Sequence, residues 1–280
     1  MRRQTGRIKL ARGAALAGLT ALSLLGAMPG AANERHFSYT YESGVLPPGE
    51  REFELWTTYR TGRHELYVRL DHRAEFEMGL TDRLMTSFYL NWQDITQENA
   101  ATSPPSTQRA SAFEGISSEW KYKLSDPVAD GFGTALYGEL GLATDEVELE
   151  GKLILDKRAG KNLYAYNLTI EPEWEVGAKE TELEEVGLEN NLAFTHFFRP
   201  RTSAGLELRN HLAFTEEHKP AYIALFLGPV VSHTAEKWWV TCTALGQLPA
   251  LKKSAEDPDS KLILDDHERY NLRLLLSFSF

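Results

Sequence analysis

From Tyr270 to the last residue the chain alternates. Tyr270, Leu272, Leu274, Leu276, Phe278 and Phe280 are apolar, and the positions between them are mainly polar: Asn271, Arg273, Ser277 and Ser279. A period of two is the signature of a β-strand whose successive side chains point to opposite faces. The same pattern recurs from Glu52 onward. Phe53, Leu55, Thr57 and Tyr59 alternate with Glu52, Glu54, Trp56, Thr58 and Arg60, and Leu66 to Leu80 sets Leu66, Val68, Leu70, Ala74, Phe76, Met78 and Leu80 against Glu65, Tyr67, Arg69, Asp71, Arg73, Glu75 and Glu77. These two strands are joined by a short turn at Thr61-Gly62-Arg63. The next strand carries Leu84, Phe88, Leu90 and Trp92 on one face. For Leu80 and Leu84 to share that face, the connection must be the three residues Thr81-Asp82-Arg83.

The alternation predicts further strands at Ala110–Leu124, Phe132–Leu142, Val147–Asp156, Leu163–Glu175, Glu184–Phe197, Thr202–Thr215, Ala221–His233, Trp238–Gln247 and His267–Phe280, making about twelve. Turns are expected at Ser125-Asp126-Pro127, Arg158-Ala159-Gly160, Arg199-Pro200-Arg201 and Thr234-Ala235-Glu236. Longer loops are expected on the opposite side, at Asp94–Arg109, near Asp145, at Gly177–Glu182 and Glu216–Lys219, and at Pro249–Asp266. The longest apolar run, Ala221 to Val231, is half the length of a spanning helix and contains Gly228-Pro229. Only a closed sheet satisfies its own backbone in lipid without helices. The expected fold is therefore all-β, a transmembrane antiparallel up-and-down barrel. A soluble β-sandwich would use the same aromatics as core, but would not need alternation as clean as that of the final strand.

The N-terminal stretch sharpens this reading. Arg2, Arg3, Arg7, Lys9 and Arg12 precede an apolar Ala14–Ala27 and a small-residue cleavage site at Gly30-Ala31-Ala32. The expected organisation is a removed signal peptide over 1–32, a periplasmic N-terminal segment over 33–51 and a barrel over 52–280. Residues 33–51 either hang free or fold into the barrel mouth, where Tyr39 and Tyr41 would act as a plug. An exported barrel belongs in the outer membrane of a Gram-negative bacterium. The final strand, Tyr270, Leu272, Leu274, Leu276, Phe278 and Phe280, resembles the strand by which such barrels are recognised for insertion. The partners implied are outer-membrane lipid and lipopolysaccharide, the barrel-assembly machinery and an unidentified small solute.

The chain has 30 basic and 40 acidic residues, and without the five basic residues of the signal the balance is 25 against 40, or −15. This disfavours nucleic acid as a partner. Cys242 is the single cysteine, which excludes an intramolecular disulfide and a cysteine-based zinc cluster. No phosphate loop, nucleotide fingerprint or metal-spaced histidine set is present, so neither cofactor nor metal is expected.

With the apolar set facing lipid, the lumen receives Glu52, Glu54, Arg69, Arg73, Glu75, Glu77, Glu119, Lys121, Glu139, Glu148, Glu150, Lys152, Glu171, Glu173, Glu189, Glu207, Arg209 and Arg273. Acids predominate. Such a lumen favours cations if it is open. The same groups pair and fill it if it is narrow. A catalytic role is the weaker expectation. In Asp71-His72 and Ser232-His233 the neighbours point to opposite faces, and His211 lacks a nucleophile on its strand. Asp265-Asp266-His267 at the outer rim is the remaining candidate for hydrolase chemistry.

Five stretches resemble known sequences. Glu34-Arg35-His36-Phe37-Ser38-Tyr39-Thr40-Tyr41-Glu42, Leu46-Pro47-Pro48-Gly49 and Glu52-Phe53-Glu54-Leu55-Trp56 look like an uncharacterised family of Gram-negative outer-membrane barrels. Phe76-Glu77-Met78-Gly79-Leu80-Thr81-Asp82-Arg83-Leu84 and the Gly228-Pro229 strand are similar to the phenol-degradation-type outer-membrane transporters. That resemblance implies passage of small, hydrophobic molecules and assigns no residue a role. Three functions follow as alternatives: a passive pore or transporter for small solutes, a structural or surface-interaction barrel with a filled lumen, and a barrel hydrolase.

Overall fold

A computed structural model describes residues 34–99, 105–177, 181–214, 219–255 and 257–280. The expected signal peptide, residues 1–32, lies outside them. Twelve strands follow one another: β1 (Arg51–Thr61), β2 (Tyr67–Gly79), β3 (Leu84–Asn99), β4 (Ser106–Ser125), β5 (Gly133–Leu142), β6 (Glu146–Ala159), β7 (Asn162–Val176), β8 (Thr181–Arg199), β9 (Thr202–Phe214), β10 (Pro220–Thr234), β11 (Trp238–Lys252) and β12 (Tyr270–Ser279). Each pairs antiparallel with its neighbours in sequence, and β1 pairs with β12 to close the barrel. All twelve expected strands are present, and no helix occurs among the described residues.

The outer surface explains why the sheet closes this way. Phe53, Leu55, Phe88, Leu90, Leu136, Leu153, Leu192, Leu206, Leu272 and Leu274 are all 37–53% exposed. A water-soluble protein could not carry so continuous an apolar belt, whereas a barrel in lipid requires one. Tyr270, Leu272, Leu274, Leu276, Phe278 and Phe280 all face outward on or beside β12.

Two expected loops differ from the structure. Asp94–Arg109 is mostly strand: β3 runs to Asn99 and β4 begins at Ser106, with Asn99 opposite Ser106. The hydrogen-bonded ladder is made by backbone, so it continues above the apolar belt where both faces meet water and alternation is lost. Residues 100–104 lie outside the described set. Pro249–Asp266 also departs from the expectation, because β11 continues to Lys252 and the connection beyond turns inward. There Ile263 donates its N–H to Gln247 Oε1 (2.8 Å), and Gln247 Nε2 donates to the Ile263 carbonyl (2.8 Å). Ile263 and Leu264 are buried.

The lumen is entered from the opposite end by residues preceding β1. Phe37 packs in a cluster with Leu163, Ala165, Ala193, Phe197 and Val230. Tyr39 lies among Tyr222, Phe226, Leu245 and Ile263, and Tyr41 among Trp56, Tyr137, Ile154 and Trp239. Ser43 then donates to Asp156 Oδ1 at 2.5 Å. The segment thus rises to about Tyr39, turns and descends, so that residues 34–46 lie inside the barrel, which corrects the expectation of a free periplasmic segment for the described part of 33–51. Its exit needs glycine. At Gly79 a Cβ would stand 2.0 Å from the Pro47 carbonyl oxygen and 2.5 Å from that of Leu46.

Candidate functional site

A buried segment that forms no ladder still has to satisfy its backbone, and inward side chains of the barrel do so here. Glu207 on β9 is fully buried and accepts from the backbone N–H groups of Ser38 (3.2 Å), Tyr39 (3.0 Å) and Thr40 (2.9 Å), and from Thr243 Oγ1 (2.6 Å). Asn167 on β7 accepts from the Tyr41 N–H (2.6 Å) and donates to its carbonyl (3.0 Å). Thr241 donates to the Arg35 carbonyl at 2.5 Å. The Arg35 guanidinium lies over the rings of Tyr41 and Trp56, at 3.9 and 4.6 Å.

Above this plug the lumen opens into a cavity of about 540 Å³, floored by Tyr39, Tyr41 and Trp56. Its walls are biased in charge, with Asp71 on the basic side and Lys152 and Arg209 on the acidic one as the exceptions. Arg60, Arg69, Arg73 and Arg273 come from β1, β2 and β12; Glu148, Glu150, Glu171, Glu173 and Glu189 come from β6, β7 and β8. In the closed strand order β7 stands six strands from β1 in either direction, so the two walls face each other. Some charges are tied down. Arg60 and Arg69 share Asp71, Arg73 reaches Glu139 at 3.4 Å, Lys152 pairs with Glu150, and Arg209 with Glu189. Arg273 spans from Thr58 Oγ1 (2.9 Å) to the Ser38 carbonyl (3.3 Å), above Tyr39. Glu148, Glu171 and Glu173 form a group with no cation within 4 Å among the described residues. This leaves the acidic wall with an excess of charge.

The remaining sequence-derived lumenal charges lie below the floor. Glu52, Glu54, Glu75, Glu77, Glu119 and Lys121 are all at most 3% exposed. Tyr89 donates to Glu119, and Trp56 Nε1 to Glu54 at 2.9 Å. The rim trio does not assemble: Asp265 and Asp266 are exposed, while His267 is buried against His211 (2.9 Å between ring nitrogens), Tyr222 and Phe226. Burial drives the pKa of His267 well below the usual histidine value, with His211 adding to the effect, as expected for a ring packed against Tyr222 and Phe226. The other histidine pairs are separated as well. Asp71 binds arginines inside while His72 stacks on Trp92. Ser232 bonds Ser203, and His233 bonds Thr202.

Reading charges alone missed Arg35 within the plug, Trp56, Tyr137, Asn167 and Trp239, which hold or contact it, and Tyr89, which packs on Trp56. The signal was parity. Each of the strand residues among them alternates with lipid-facing residues, as Tyr89 does with Phe88 and Leu90. A ring or amide on the polar parity of a barrel strand needs a partner inside.

The base of the plug is closed by an ion pair. His36 Nδ1 lies 3.0 Å from Glu42 Oε2, and the His36 N–H donates to Glu42 Oε1 at 2.8 Å. Burial pulls the His36 pKa down, but Glu42 and Glu34 outweigh burial and the repulsion of Arg158, and the net shift is upward from 6.5. For Glu42, burial is outweighed by His36, and the carboxyl is held below 4.5. A raised histidine stabilises docking fully below its undocked value and loses that effect as pH rises through the docked one; a depressed carboxyl does so above its undocked value and loses it as pH falls. Docking should therefore be tightest between about 4.5 and 6.5. Release of the segment, followed against pH by limited proteolysis, should increase on both sides of this window, and His36→Gln should remove the alkaline dependence and weaken the acidic one, because His36 is also what holds the Glu42 carboxyl down.

A family model described as a family of unknown function, DUF6662, matches residues 29–280. No curated protein matches the chain. Among solved structures, the outer membrane channel from Pseudomonas putida F1 aligns with a TM-score of 0.59 at 12% identity, over 85% of this chain and 98% of that one. The NanC porin gives 0.52 at 10% identity, covering 81% and 100%. The β domain of the Bordetella autotransporter BrkA gives 0.50 at 9%, covering 83% and 100%. At such identities the likeness is one of fold, the closed outer-membrane barrel.

Proposed function

Because the chain belongs to the family of unknown function DUF6662, whose description carries no activity, we infer its role from the lumen: an outer-membrane channel for small polar solutes, held closed by its own N-terminal segment. The observation that carries this reading is the cavity of about 540 Å³ with opposed arginine and glutamate walls, floored by Tyr39 and Tyr41. A cavity of that size takes a small metabolite. Its facing charges orient a solute bearing both signs, or steer a cation along the acidic side. The floor belongs to a segment held by apolar packing and by hydrogen bonds to side chains such as Glu207 and Asn167 rather than by a ladder, so its release requires no strand to separate. In this reading the long-looped end faces outside and the chain termini face the periplasm of a Gram-negative cell. The charged walls favour polar solutes over the hydrophobic molecules implied by the resemblance to phenol-degradation-type transporters.

The second reading, a barrel whose filled lumen is purely structural, is favoured by the inward turn of Ile263 and Leu264, which narrows the upper lumen on the β9–β11 side. Single-channel recording on the refolded protein, with and without residues 34–46, separates the two. The channel reading expects rare openings for the full protein and stable steps for the shortened one. Silence from a shortened barrel that is folded by heat-modifiable mobility refutes it.

A further inference from the structure

Below the plug floor, the β1–β2 register places Glu52 opposite Glu77 and Glu54 opposite Glu75. All four side chains point inward and are at most 3% exposed. Like charges directly across a ladder repel, and in a buried site the repulsion is little screened. Hydrogen bonds answer only part of it. Glu52 accepts from Trp239 Nε1, Ser277 Oγ and Ser279 Oγ, and Glu54 Oε2 accepts from Trp56. No N–H or hydroxyl donor reaches Glu54 Oε1, Glu77 Oε2 or either oxygen of Glu75, all buried, and Glu75 and Glu77 lie within hydrogen-bond reach of each other. Arg35 of the plug attracts Glu54 and Glu75 without forming an ion pair with either. Its guanidinium lies on the Tyr41 and Trp56 rings and donates to the Ser38 carbonyl, and it makes no ion pair within 4 Å among the described residues.

Glu52, Glu54 and Glu77 each offer a carboxylate oxygen, all within 4.8 Å of one another. Oxygens on opposite sides of a calcium ion, each at about 2.3–2.6 Å, stand up to about 5 Å apart. An all-oxygen donor set with no imidazole or thiolate selects a hard divalent cation rather than zinc or copper. We propose that Glu52, Glu54 and Glu77, backed by Glu75, bind a divalent cation of the calcium type inside the barrel. The ion would cross-link β1 to β2 directly beneath Trp56, and so stiffen the wall on which Arg35 and Tyr41 rest. The site does not depend on the channel ever opening.

The tryptophans bonded to Glu52 and Glu54 provide the readout, because terbium replaces calcium and its emission is sensitised by an adjacent indole. Terbium is added to the refolded, metal-stripped protein, emission is followed under tryptophan excitation, and calcium is then titrated against it. The expected result is a saturable signal displaced by calcium, with affinity weakened at least about tenfold in E54Q/E77Q and retained in E148Q/E171Q, which alters the acidic wall of the cavity above the plug instead. No sensitised emission, an undiminished signal in folded E54Q/E77Q, or a signal lost only in E148Q/E171Q would overturn the proposal. If E54Q/E77Q does not fold, the E148Q/E171Q protein decides the matter by its thermal unfolding: a midpoint raised by calcium and lowered by chelator supports the site, and an unchanged midpoint refutes it.

Discussion

Replacing Glu207 by alanine should convert a mostly closed barrel into one that opens frequently. This one carboxylate accepts three consecutive backbone N–H groups of the plug, from Ser38, Tyr39 and Thr40, and a hydroxyl of β11. Without it three donors are buried with no acceptor, at about 1–3 kcal/mol each, so several kcal/mol of docking energy disappears at one position. The barrel itself should persist, since its ladders and lipid-facing belt do not involve Glu207. Planar-bilayer recordings should show an open probability raised by an order of magnitude or more, with heat-modifiable mobility unchanged. Glu207→Gln keeps one acceptor oxygen and should give a smaller increase.

In the barrel lacking residues 34–46, changing Glu148, Glu171 and Glu173 together to glutamine should weaken cation preference. Three carboxylates this close repel one another and are not all ionised together; a carboxylate about 8 Å from a passing ion in a watery lumen is worth ~0.5 kcal/mol, so with one or two charged the group is worth ~0.5–1 kcal/mol. Screening by salt reduces the expected change in selectivity to at most about twofold. The reversal potential in a salt gradient measures it. These three acids are the right choice because no arginine or lysine pairs with them, whereas Glu150 and Glu189 are already neutralised by Lys152 and Arg209. An unchanged reversal potential would locate selectivity elsewhere in the lumen.

The strands were legible because lipid imposes a strict demand on every second residue. In β1, β2 and β12 the alternation of Phe53, Leu55, Phe76, Leu272 and Leu274 with charged or small polar residues settles face and register together. Parity also gave the Thr81-Asp82-Arg83 turn, in which the Leu80 N–H donates to the Leu84 carbonyl at 2.9 Å. Where the sheet rises out of lipid the demand lapses. The polar stretch around Gln97 and Gln108 is strand in the structure although its sequence has the composition of a loop. The plug was legible only as an alternative, because Phe37, Tyr39 and Tyr41 have the same spacing as a strand and nothing local distinguishes an edge strand from an extended segment held by side chains. What places them inside is distant: Glu207 and Asn167 lie more than a hundred residues away. The same holds for His267, whose neighbours His211, Tyr222 and Phe226 meet only when the barrel closes.

The central claim, that residues 34–46 are folded into the lumen by contacts to the barrel wall, is tested most directly by amide hydrogen exchange on the refolded protein. Exchange of the peptide spanning Tyr39, Thr40 and Tyr41 is compared with that of β1, in the full protein and in Glu207→Ala. The account predicts protection of these amides approaching that of β1, because each is bonded to Glu207 or Asn167, and a large loss of it in the variant while β1 stays protected. Exchange at the rate of an unstructured peptide in the full protein would contradict it.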